Sequence, residues 1–252
     1  MIAHQITDGI ATITLDAQPT RNALSLAGWQ ALADAVAAIG AAGARAVVLR
    51  GGAPGMFCSG SDIREIATLA DDAARRAPFR QIMRDALEPL ARLPMPVIAA
   101  IDGDCFGAGV ALALAADVRV AGPRAVFAVT PAKLGITYPQ EDVARLVALI
   151  GPGQAARLLY AAARIDATEA ARIGLVELLV DDVEAEALAL AQSMAALSPS
   201  SLSALKQAVA RAPSGHDRAL DALFDSAFGG PDFREGLDAF RARRPARFGD
   251  RG

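Results

Sequence analysis

Between Ile6 and Leu15 apolar and polar residues alternate around Asp8-Gly9, the pattern of two strands joined by a tight hairpin turn. The period then lengthens. Ser25 stands as an N-cap before a helical pattern from Leu26 to Ile39, and the apolar run Ala46 to Leu49 reads as a buried strand ending in the glycines of RGGAPG. The order repeats: a glycine-containing turn at Ser59-Gly60-Ser61-Asp62, a helix to about Leu69, a second helix from Phe79 to Leu93, and a strand from Val97 to Ile101. After GDCFGAG the pattern predicts a helix to Ala116, strands near Val118 to Val120 and Val126 to Val129, and a loop reading TPAKLGITYPQ. From Glu141 onward it is mostly helical, with breaks at Pro213-Ser214-Gly215 and Gly229-Gly230-Pro231 and a last helix beginning at Asp232. Strand-helix-strand recurrence of this kind predicts an α/β or layered spiral architecture around one buried sheet.

Composition narrows the class. A chain of 252 residues fits one domain, or one with a small appendage, and can bury a sizeable core. The boundary is expected between a core over 1–195 and a helical region over 196–252. With 25 basic and 28 acidic residues the formal net charge is -3, which removes any general attraction to nucleic acid or an anionic membrane. Two cysteines, Cys58 and Cys105, match neither a zinc spacing nor a disulfide framework. The start MIAHQITDGIATITL lacks the pattern of a signal peptide, and Asp, Gly or Arg breaks each apolar segment before the ~20 residues a membrane span needs. A soluble, cytoplasmic protein is expected.

The stretch GDCFGAGVALALAAD, Gly103 to Asp117, combines glycines with an alanine-rich run that carries no acid or base. Its G-x-x-x-G-x-G spacing does not match a dinucleotide fingerprint. Two readings remain: free backbone N–H groups that stabilise developing negative charge, or a small-residue helix packed closely on a neighbour. FCSGSDI, Phe57 to Ile63, offers a second strand-to-helix turn of small residues, and two such turns converging on one atom would form an oxyanion hole.

Together with RNALS (Arg21 to Ser25), PVIAAIDGDCFGAGVALALAAD (Pro96 to Asp117), the KLG of Lys133 to Gly135, EAARIGLVELLV (Glu169 to Val180) and FREGLDAFRARRPARF (Phe233 to Phe248), these stretches resemble the crotonase superfamily, the enoyl-CoA hydratase/isomerase family, over nearly the whole chain. The resemblance implies an α/β crotonase-like spiral of ββα units with a helical C-terminal region that drives trimers, often paired into hexamers. It implies an acyl-CoA substrate, with coenzyme A as part of that substrate and no separate cofactor. The thioester oxygen would rest on the N–H groups of Ser61 and Ala108 during passage through an enolate. Arg21 would approach the coenzyme A phosphates, the backbone at Cys58, Ser59 and Ser61 would meet adenine and pantetheine, and Phe240 and Arg243 would close over the nucleotide from a neighbouring subunit. Arg241, Arg243, Arg244 and Arg247 form a cluster suited in charge to a phosphorylated ligand, or a solvated basic tail.

Hydratases of this family use two glutamates, and this chain has Ala111 and Pro131 in their places. Neither moves a proton. Loss of carbon dioxide from a malonyl-type thioester needs an oxyanion hole and a late proton but no strong base. TPAKLGITY is similar to the corresponding loop of methylmalonyl-CoA decarboxylases in the family, a partial likeness because those carry histidine and glutamate where this chain has Ser61 and Ala111. Tyr138 is then a candidate hydrogen-bond donor in the pocket, or a buried structural tyrosine. Glu141 and Asp142 are candidates for a displaced acid/base, giving hydratase or isomerase activity, or first-turn acids of a helix. A non-catalytic acyl-CoA-binding protein is the third possibility. His4 and His216 are the only histidines, so neither a triad nor a histidine metal site has support.

Overall fold

The computed structural model describes residues 1–53 and 55–249. Its strands form two sheets. The first holds, in spatial order, β1 (Ile2–Thr7), β2 (Ile10–Leu15), β3 (Ala46–Gly51), β5 (Val97–Ile101), β7 (Val118–Ala121) and β10 (Leu178–Leu179), all parallel except for the β1–β2 hairpin. The second holds β4 (Gly55–Cys58), β6 (Gly103–Phe106), β8 (Val126–Ala128) and β9 (Arg164–Asp166), with β9 antiparallel. The chain visits the first sheet, then the second, then a helix: β3 and β4 lead to α2 (Ile63–Ala67) and α3 (Arg76–Ala91), β5 and β6 to α4 (Ala108–Leu114), and β7 and β8 to α5 (Gln140–Ala161). This is the expected spiral of ββα units.

The expectation of one buried sheet is corrected to two. Gly103 to Phe106 pairs with β8 as a strand although its residues read as a glycine turn, and only Asp102 separates it from β5. A strand that short, containing Gly and Asp, has no period to display. β9 and β10 are short for the same reason and lie where the pattern was mostly helical. The other elements follow local rules. Asp8 and Gly9 both take positive φ in the β1–β2 turn, and Ser25 caps α1 (Leu26–Ala41) by accepting from the Gly28 N–H at 3.0 Å.

Alternation along the first sheet sends side chains into two apolar layers. Ile13, Leu49 and Ala99 face a core shared with Trp29, Phe57, Leu112 and Phe127, while Ile10, Val48, Ile98 and Val120 face Val183, Ala187 and Ala191 of α7 (Val183–Ala195). Every residue of α4 is buried, which is why the run carries no charge: a helix apolar on all sides belongs inside a core. At its far end Arg119, itself buried and paired with Glu177, donates to the Ala116 carbonyl at 2.9 Å.

After α6 (Ala167–Arg172) and α7 the chain ends in α8 (Pro199–Arg211), α9 (Arg218–Ala227) and α10 (Pro231–Ala242), which bury only Ala239 among the described residues. Leu205, Val209, Phe224, Phe228 and Phe233 are exposed there. No helix among the described residues is long and apolar enough to cross a membrane.

Candidate active site

Two turns, at 58–61 and 107–109, meet at the heart of the molecule. Leu24 pairs with Ser61 in a parallel bridge: the Leu24 N–H donates to the Gly60 carbonyl at 2.8 Å, and the Asp62 N–H donates to the Leu24 carbonyl at 2.9 Å. Backbone groups alternate sides along an extended segment, so the Ser61 N–H points the other way. In the second turn the Gly107 N–H is taken by the Ala128 carbonyl at 2.9 Å, while the N–H groups of Val110 and Ala111 turn back to the Gly107 carbonyl. Neither the Ser61 nor the Ala108 N–H has an acceptor among the described residues. Gly60 ties the pair together. Its φ of 108° is closed to ordinary side chains, and a Cβ there would stand 3.4 Å from the Ala108 nitrogen. Gly60 immediately precedes Ser61, so this close approach brings the segment carrying the Ser61 N–H up to the start of α4.

Close approach explains the third glycine. A Cβ on Gly109 would collide with the Cys58 carbonyl oxygen, so α4 sits against β4 only because that position is bare. The close-packing reading of the glycine-alanine stretch is what this contact shows, and the packing sets the first turn of α4 against the 58–61 turn.

A buried amide supports the first turn. Asn22 is 1 % exposed, with φ 56°, accepts from the Ala17 N–H at 2.8 Å and donates to the Phe57 carbonyl at 3.1 Å. Its own carbonyl accepts from the Cys58 thiol at 3.2 Å. The Ser59 N–H donates to the Arg21 carbonyl at 3.1 Å, and its hydroxyl to the Thr20 carbonyl at 3.2 Å. RNALS is therefore stitched to FCSGS along its length. Sequence reasoning gave Asn22 no role; an asparagine where the chain must take positive φ was the available signal.

Arg21 is half-exposed and ion-paired with Asp104, a partner the sequence did not single out. Phe240 is 83 % exposed on the last turn of α10, and Arg243 ends that helix in a left-handed conformation. Among the described residues no hydrogen bond or ion pair joins either of them to the two turns. Arg244 forks onto Glu235 at 2.6 and 3.0 Å, so the basic cluster is partly neutralised within its own region.

The loop before α5 contributes one inward group. Residues 132–137 are all exposed, and Tyr138 turns in to donate its hydroxyl to the Gly107 carbonyl at 3.0 Å. Burial pushes its pKa well above that of a free phenol, with the charge of Asp142 adding to the effect, so it stays a neutral donor. Ala111 is fully buried on α4, and Pro131 opens a short 3-10 turn after β8; neither position offers a proton.

Glu141 is ion-paired with Arg84 of α3, and Asp142 is 2 % exposed and accepts from Arg145 at 3.1 Å, with Arg145 also bound to Glu88. These groups line a cavity of about 20 Å3 between α3 and α5, room for about one water. Burial outweighs the Arg145 charge and lifts the Asp142 carboxyl to about 6. Both cysteines are fully buried; the same desolvation pushes the Cys58 thiol up to about 12 and raises Cys105 as well, so neither is a thiolate. Arg64 folds back on Asp62 at 2.7 Å, and Glu65 accepts from the Leu26 N–H at 2.5 Å, which makes this pair a support for α1 and α2. Among the described residues no group of three or more metal-ligating side chains gathers.

The sequence profile of the enoyl-CoA hydratase/isomerase family matches residues 5–251. The chain belongs to that family. A Rhodobacter capsulatus relative named "Probable enoyl-CoA hydratase" is 36 % identical over 98 % of this chain and 97 % of its own. The mitochondrial methylglutaconyl-CoA hydratase of Mus musculus is 31 % identical over 95 % of this chain and 79 % of its own. Among solved structures, an enoyl-CoA hydratase/isomerase family protein from Hyphomonas neptunium superimposes with a TM-score of 0.94 at 37 % identity, covering 99 % of this chain and 98 % of that one. An enoyl-CoA hydratase from Bacillus anthracis does so with a TM-score of 0.91 at 31 % identity, covering 98 % of each. This family member is thus an α/β crotonase-fold protein of a family that acts on acyl-CoA thioesters.

Proposed function

We propose that this family member binds an acyl-CoA with its thioester oxygen between the Ser61 and Ala108 N–H groups, and that its reaction is loss of carbon dioxide from a malonyl-type thioester. The observation that carries the reading is the pair of N–H groups without an acceptor among the described residues, beside a helix that offers no acid, with Ala111 and Pro131 inert. The bond from Cα to the carboxylate breaks, carbon dioxide leaves, and the electron pair comes to rest on the thioester oxygen. Cα then takes one proton, for which solvent suffices. A carboxylate on α4 would repel the substrate's own carboxylate, so its absence favours this chemistry. Each hole donor of this kind is worth about 10²–10³ in rate.

Arg21 would exchange Asp104 for coenzyme A phosphate, the backbone at Cys58, Ser59 and Ser61 would line the pantetheine arm, and Phe240 and Arg243 would close over the nucleotide of a neighbouring copy in a trimer or dimer of trimers. The exposed apolar side chains of α8 and α9 fit such an assembly.

Hydration is the second reading. The names of the relatives favour it, and so does Asp142, whose carboxyl at about 6 is poised to exchange protons near neutrality. Mass spectrometry of the purified protein incubated separately with methylmalonyl-CoA, malonyl-CoA, crotonyl-CoA and methylglutaconyl-CoA separates them. Loss of the mass of one carbon dioxide from a malonyl thioester supports decarboxylation; gain of water on either enoyl thioester replaces that reading with hydration. Silence on all four, with binding retained, would mark a non-catalytic acyl-CoA binder.

A further inference from the structure

Tyr138 does not reach the hole directly. It reaches the other end of the same peptide: its hydroxyl donates at 3.0 Å to the Gly107 carbonyl, and the N–H of the peptide unit that begins with that carbonyl is Ala108's. The carbonyl also accepts from the Val110 N–H at 2.9 Å and the Ala111 N–H at 3.3 Å, so three donors converge on one oxygen. Hydrogen bonds to a carbonyl draw electron density along the amide and make its own N–H a stronger donor. They also fix the plane of the peptide, and therefore the direction of that N–H. The Ala111 N–H and the Tyr138 hydroxyl thus share the Gly107 carbonyl oxygen as acceptor.

We infer that Tyr138 is a positioning residue for the oxyanion hole, orienting and polarising the Gly107–Ala108 peptide so that the Ala108 N–H is held ready for a thioester oxygen. The inference rests on the reading of the hole given above. The loop geometry agrees with it. Residues 132–137 are exposed, Gly135 takes φ 70°, and among the described residues the backbone N–H bonds of this stretch are local, from Lys133 to Thr130, Gly135 to Ala132 and Ile136 to Pro131. Among the described residues the Tyr138 hydroxyl ties this loop to the N-cap of α4, and burial keeps that hydroxyl protonated at any working pH.

The test is isotope-edited infrared difference spectroscopy of bound acetyl-CoA carrying carbon-13 at the thioester carbonyl, a small acyl group with neither a double bond to hydrate nor a carboxylate to lose. In the native protein the carbonyl stretch falls below its value in water. In Tyr138→Phe it moves back toward the free value, affinity stays within about threefold, and turnover with the active substrate falls about threefold to tenfold at unchanged KM. Should Tyr138→Phe fold poorly, fluorotyrosine provides the second arm. The chain has 2 tyrosines, and Tyr160 is 83 % exposed, so labelling a Tyr160→Phe protein modifies Tyr138 alone. A ring fluorine strengthens the phenol as a donor, and the stretch then falls further than with native tyrosine. A native shift that is the same in Tyr138→Phe and in the fluorotyrosine protein overturns the inference, since a purely structural tyrosine behaves that way. No shift in the native protein overturns the hole itself and this inference with it.

Discussion

The turns at 58–61 and 107–109 and the stretch Tyr138 to Arg145 converge on α4, and they present different chemistry. The turns offer bare backbone: the Ser61 and Ala108 N–H groups have no acceptor among the described residues, and two glycines let the turns touch. The Tyr138 stretch offers side chains whose polar atoms are already engaged, Tyr138 with Gly107, Glu141 with Arg84, and Asp142 with Arg145. A group with no partner is free to meet a substrate without first breaking a bond, whereas a paired buried carboxylate must leave its cation to act. On the reading proposed above, charge stabilisation falls to the backbone, and the acids are candidates only if the reaction requires a proton relay.

Removing a backbone donor should have the largest effect. Ala108→Pro deletes the N–H and projects the ring toward the hole, yet position 108 opens a helix, where proline is tolerated. We expect turnover to fall by about 10²–10³ with the melting temperature nearly unchanged. Steady-state kinetics beside a thermal melt will check this; full activity in a folded variant would remove Ala108 from the hole.

Gly109→Ala attacks the contact that brings the turns together. The added methyl meets the Cys58 carbonyl oxygen, a backbone atom that cannot swing aside, and overpacking of this kind costs about 1–3 kcal/mol. Denaturant unfolding should show that loss, and activity should fall with it because α4 must retreat from β4.

Much of this frame was legible in the sequence for reasons that can be named. The β1–β2 hairpin followed from alternation around Asp8-Gly9, α1 from its Ser25 cap, and α4 from a run apolar on every side. β6, β9 and β10 were not, because strands this short carry no period, and they become strands only when a neighbour supplies hydrogen bonds. The same limit applies at the site. Ser61 and Ala108 could be named from turn motifs and a family resemblance, but that Tyr138 would bond Gly107 and Arg21 would bond Asp104 depends on contacts across 31 and 83 residues of chain. Local spacing does not encode such pairs.

Asp142 sharpens the comparison through pH. Its folded-state pKa of about 6 lies above the ordinary 3.8, so the unfolded chain releases this proton first and Asp142 removes stability as pH rises from about 4 to about 6. Above that window the cost is constant, up to about 3 kcal/mol, since each tenfold change in proton affinity is worth about 1.4 kcal/mol. Asp142→Asn keeps the shape without the charge, and Arg145 keeps Glu88. The variant should therefore be the more stable protein at about pH 7.5, with the gap to wild type closing toward about pH 4. Urea midpoints for both proteins across that range test the sign; a gap that widens on acidification would mean that the Arg145 pair stabilises the ionised form.

The smallest effect is expected at Glu141, and it discriminates most directly between the two reactions. Its carboxylate is held by Arg84 outside α4, at the first turn of α5, where an acid is also favoured by the helix dipole. If the substrate brings its own carboxylate and solvent provides the proton, Glu141→Gln changes turnover by less than about twofold and costs only a few tenths of a kcal/mol in stability. If water is added across a double bond with Glu141 as general base or acid, the same substitution lowers turnover by about 10²–10⁴ at similar affinity. Assay of Glu141→Gln and Asp142→Asn on one substrate thus tells whether the paired acids beside Tyr138 only brace α3 against α5 or also exchange protons with what the two turns hold.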